Sequence, residues 1–152
     1  MRDDAEEIQM LMDLLKDKNA VEWVMDFARM TQVWDDLIDK DVTTSDEQIN
    51  RTFMNLLLKM PANPFYLAFQ GALTTLMYSV ILDWLTSNEL AGAGEMETRI
   101  AFIIRDSMAG MIVQVSAMLH GHDYAMQHAA EVRRYFHDDG YEGFVEEHSH
   151  GH

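Results

Sequence analysis

The chain has 152 residues, 48% of them apolar, no cysteine and a net charge of −15. This length is enough for one domain with a real core, and the apolar fraction excludes a disordered chain. Without cysteine there is neither a disulfide framework nor a thiolate metal site, and the charge argues against direct binding to nucleic-acid phosphate or an anionic membrane.

The first residues, Met1-Arg2-Asp3-Asp4-Ala5-Glu6-Glu7, have no apolar stretch of the signal-peptide kind, so the chain reads as cytoplasmic. Helical periodicity then dominates, and no useful length alternates with period two. A first helix is expected from Asp3 to Lys16, and a second from Ala20 to Asp39 with Asn19 as its N-cap. Ser45-Asp46-Glu47-Gln48 fits a capping box and opens a third, which Pro61 should end near Met60. Asn63 and Pro64 are an N-cap and a favoured first position for a fourth helix reaching Glu89. Ala91-Gly92-Ala93-Gly94 is a turn, followed by a fifth helix from Glu95 to Leu119 and a sixth from Asp123 to His137. The apolar stretch Ile100–Leu119 is interrupted by Arg105, Asp106, Ser107 and Gln114, and reads as a buried bundle helix instead of a membrane span. The expected architecture is all-α: an antiparallel bundle of about six helices. One helical domain should cover residues 1–140, and residues 141–152 should be a flexible tail carrying His148, His150 and His152.

The run Trp34-Asp35-Asp36-Leu37-Ile38-Asp39-Lys40-Asp41 carries the strongest chemical signal. It sets carboxylates at the C-terminal end of a helix, where the dipole makes each cost up to about 1 kcal/mol. The like-charged pair Asp35 and Asp39 adds roughly 0.2–0.5 kcal/mol. Such a cluster is either fully solvated or neutralised by a cation, and Mg²⁺ takes one or two carboxylates together with phosphate oxygens. A seam of Val21, Val24, Ala28, Thr31, Asp35 and Ile38 points Asp35 inward, with Asp39 one turn beyond and Asp36 able to reach the same ion only from the side.

On the fourth helix a seam of Ala72, Leu76, Ser79, Asp83 and Ser87 carries Asp83. On the fifth, Asp106 shares a face with Phe102, Ile103, Ala109, Gly110 and Val113. A buried carboxylate there needs a partner from another helix or a shared cation. His120, His122, His128 and Glu131 do not follow the spacing of a carboxylate-bridged metal bundle and read as structural, with Asp123 as a helix-start acid. Thirteen methionines read as adaptable core filler.

The segment Met30–Asp39 resembles the DDxxD motif of class I isoprenoid (terpene or prenyl) synthases. That resemblance implies an all-α core in which Asp35, Asp39 and Asp36 bind Mg²⁺ that grips a substrate diphosphate. In the family's second motif Asp83 and Ser87 match the first two positions, while Ala91 stands in place of the Glu. Arg134-Tyr135 resembles the family's late Arg-Tyr pair, and Arg105 or Arg134 would hold phosphate. A homodimer would complete a cavity that a chain of this length cannot enclose alone. The chain is also similar to small all-α MazG-like nucleotide pyrophosphohydrolases, whose acidic pairs Asp36-x-x-Asp39 and Glu22 with Asp26 approximate. The functional expectation is Mg²⁺-dependent binding or turnover of a diphosphate compound, with Asp83 and Asp106 completing the metal site. A non-enzymatic acidic interaction protein, or a relative that kept the fold and lost the chemistry, is the other class.

Overall fold

The computed structural model describes residues 3–40, 42–138 and 140–149. The chain is all-α, with no strand among the described residues. Its helices gather into two compact units, Met1–Gln70 and Gly71–His152, where one helical domain over residues 1–140 is expected.

In the first unit, α1 (Asp4–Leu15) buries Leu11, Leu14 and Leu15. The second helix, α2 (Lys18–Asp39), is capped by Asp17, not by Asn19: the Asp17 carboxylate accepts from the Ala20 N–H at 2.9 Å. Asn19 contributes its carbonyl instead, which accepts from Asn63 Nδ2 at 3.0 Å. The core of the unit forms around Trp23, which stacks on Tyr66 and meets Phe27 and Phe65 edge-on. Such rings bring large buried area with specific geometry.

The capping box is present at the start of α3 (Asp46–Met54), with Ser45 and Gln48 bonded to each other's backbone N–H groups. This helix does not stop near Met60. It widens into a π-helical stretch, Asn55–Lys59, and continues as α4 (Met60–Ala62). Pro61 has no N–H to give the Leu57 carbonyl, so the wider turn falls where ordinary helical bonding is already interrupted. Asn63 then caps α5 (Pro64–Ala68), accepting from the Phe65 and Tyr66 N–H groups at 2.8 and 3.2 Å. The long helix expected from Pro64 to Glu89 is broken at Phe69, whose backbone leaves the helical region (φ −125°, ψ 27°). The remainder is α6 (Gln70–Leu90), which opens the second unit.

The Ala91–Gly94 turn is held by the Gly92 N–H donating to Thr98 Oγ1 at 3.0 Å. The expected fifth helix is two helices, α7 (Glu95–Ile104) and α8 (Met108–His120), separated at Arg105–Ser107. Over Glu95–His120 the chain is long and apolar enough to cross a membrane by length and composition, but Arg105, Asp106 and Ser107 interrupt it. Gly121, at φ 94°, turns the chain into α9 (His122–His137), which packs against α8. Arg133 of α9 lies so close to Gly110 of α8 that a Cβ there would meet its guanidinium at 2.9 Å.

The segment expected to be a flexible tail forms α10 (Tyr141–Ser149). Phe144 is buried against Phe102, and the Arg105 guanidinium lies 4.8 Å from the centre of its ring. Tyr141 also packs on Phe102, and its hydrogen bond is the main cause that lifts the Arg99 pKa above the ordinary guanidinium value. His148 gives its Nδ1–H to the Phe144 carbonyl at 2.9 Å, whereas His150 and His152 lie outside the described residues. A docked helix and a loose tail respond differently to mutation. Phe144→Ala should cost about 3 kcal/mol, roughly 6–12 °C in Tm. Amide exchange should also speed up over Tyr141–Ser149, whereas a melting curve unchanged from wild type would mean that α10 contributes nothing.

Candidate functional site

The aspartate-rich run occupies the last turns of α2, with no basic residue in the final turn. The expected seam holds at its start and fades toward its end. Val21 and Val24 are buried, Ala28, Thr31 and Asp35 are half-buried, and Ile38 and Asp39 are exposed. The packing around Trp23 covers only the N-terminal half of the helix, so its C-terminal end surfaces. Asp36 accepts from Gln32 Nε2 at 3.1 Å. Lys40, in the left-handed region at φ 61°, ends the helix, and Asp41 lies outside the described residues.

In the second unit the seam of α6 is turned from the expected one. Leu73, Val80, Trp84 and Ser87 are buried; Ala72 and Ser79 are exposed, and Leu76 and Asp83 are half-buried. The buried stripe steps from Leu73 to Val80, Trp84 and Ser87, one position round from the expected seam. Asp83 accepts from Ser107 Oγ at 2.5 Å, which ties α6 to the break between α7 and α8. Asp106 sits half-buried in that break, and its carbonyl accepts from the Ala109 N–H at 3.0 Å. Arg105 lies over Phe144, and Arg134 is exposed on α9. His120, Tyr124 and His128 form a column of rings 4.7 and 4.5 Å apart, and His128 Nδ1 lies 3.7 Å from Glu131. Among the described residues no three His, Asp or Glu side chains come together in a way that could hold a metal ion.

The most tightly built ionic cluster is in the first unit, and sequence reasoning noticed only its acids. Glu22 and Asp26, one turn apart on α2, both face Lys59 from the π-helical stretch. Lys59 Nζ lies 3.1 Å from Glu22 Oε1 and 3.0 Å from Asp26 Oδ2, and donates to Asp26 Oδ1 at 3.3 Å. The Asp26 side chain is only 2% exposed, while that of Lys59 is 44% exposed. A carboxylate so deep in a protein needs a cation or a set of donors. Lys59 supplies that cation. Partial burial lowers the Lys59 pKa, but hydrogen bonds and charge from Asp26 and Glu22 outweigh it, and the net pKa stands above the ordinary 10.5. The signal for this cluster was a single lysine inside the run Leu56-Leu57-Leu58-Lys59-Met60, one of only two charges between Gln48 and Leu82.

Comparison with family models, curated proteins and solved structures returns no match for this chain.

A group whose pKa rises on folding stabilises the fold below its unfolded pKa, and that gain is lost as pH climbs through the folded value. Lys59→Met should therefore melt below wild type at neutral pH. A fully buried pair loses about 3–5 kcal/mol when broken, and the exposure of Lys59 reduces this to about 1–2 kcal/mol, roughly 2–8 °C. Above pH 10.5 the wild type should lose stability toward the variant. Parallel melting curves for the two proteins across that range would contradict the pairing.

Proposed function

We propose that this chain works by contact with another protein surface, as an acidic all-helical interaction protein. The observation that carries the reading is the placement of its exposed apolar side chains. Tyr78, Leu82 and Leu85 on α6 are 63%, 47% and 44% exposed, and Met96, Ile100 and Ile103 on α7 are 61%, 42% and 44% exposed. Each trio steps by four and then three positions, so each is a stripe on one helix face and not a scatter of single residues. Covering the part of each side chain that still faces water would gain about 1 kcal/mol apiece, and contiguous exposed apolar surface marks interaction sites. The net charge of −15 keeps copies of the chain apart until a specific face is met.

A second reading keeps Mg²⁺-dependent binding or turnover of a diphosphate compound on an isoprenoid-synthase-like antiparallel bundle. Its support is the position of Asp35, Asp36 and Asp39 at the end of a long helix with no basic residue in its last turn. Since no three acidic or histidine side chains converge among the described residues, Mg²⁺ would rest on Asp35 and Asp39 and take its remaining ligands from phosphate oxygens and water. Asp83, Asp106, Arg105 and Arg134 would contribute only if brought to that ion.

Two measurements separate the readings. Thermal melts with and without Mg²⁺ plus pyrophosphate, on wild type and Asp35→Asn/Asp39→Asn, should show no ligand shift under the contact reading, and the variant should melt at the same or a higher temperature. A wild-type-only rise, about 2.7 kcal/mol at a hundred times Kd, would establish the diphosphate site. The stripes themselves are tested by Leu82→Ser/Leu85→Ser and Met96→Ser/Ile100→Ser. Side chains kept free for contact should cost each pair no more than about 1 kcal/mol when replaced, mostly helix propensity. A fall beyond about 2 kcal/mol in either pair would make those residues core and remove the contact reading.

A further inference from the structure

We draw no further inference here: the strongest candidate, the exposed apolar face of Phe53, Met54, Leu57 and Leu58 on the helix between Asp46 and Lys59, runs on into exposed Asp46 and Glu47, and nothing in the structure shows what covers it.

Discussion

Burial of the Asp26 carboxylate is the constraint around which the first unit is arranged. It sits in the same helical segment as Trp23, Val24 and Phe27, which the core requires, and so it is carried inward with them. An ion that deep must be neutralised by a neighbour, and Lys59 is the neighbour that arrives. The consequence extends beyond the pair. Because Lys59 belongs to the π-helical stretch after α3, holding its ammonium against α2 sets the rotation of that whole helix. Leu57 and Leu58, just before Lys59, are then directed outward, whereas Met60, just after it, is buried.

The second unit shows how a polar interruption in an apolar run becomes a joint. Arg105, Asp106 and Ser107 separate α7 from α8, and each is used where it falls. Ser107 bonds Asp83 of α6, the Asp106 carbonyl accepts from the Ala109 N–H, and Arg105 covers the ring of Phe144. The last contact brings α10 onto α7, with Tyr141 and Phe144 packed on Phe102. A short helix of this kind cannot hold itself together in isolation, so its order comes from the aromatic contact. The same joint leaves the Met96-Ile100-Ile103 stripe of α7 without a cover in the second unit.

The acids are unevenly spread along the chain. Acidic residues are dense near the N-terminus, along α2 and beyond Leu82, while the interval from Gln48 to Leu82 has none. The aspartate-rich end of α2 fits either use. It is an exposed helix end in one reading and a two-carboxylate foothold for Mg²⁺ and phosphate in the other.

What was legible in the sequence was whatever depends on neighbours a few positions apart. The all-α class, the Ser45–Gln48 capping box, the Asn63-Pro64 helix start, the glycine turn at Ala91–Gly94 and the start of α9 all follow from local hydrogen bonding and period. Breaks at Phe69 and at Arg105–Ser107 were not legible, because a helical pattern runs through both and only contacts elsewhere show what interrupts it. The faces of α2 and α6 were read in part. Periodicity says that a stripe is buried, but tertiary packing and the limited extent of the Trp23 core decide which stripe and for how many turns. Glu22 and Asp26 could be paired by spacing, while their cation, Lys59, is more than thirty residues away and its role rests on a tertiary contact. The sequence by itself determined the class and the charge pattern, since both are sums over local chemistry. Tertiary structure alone decided which acids are neutralised, that residues Tyr141–Ser149 dock, and which leucines remain in water, because burial depends on what a distant segment brings to the same place.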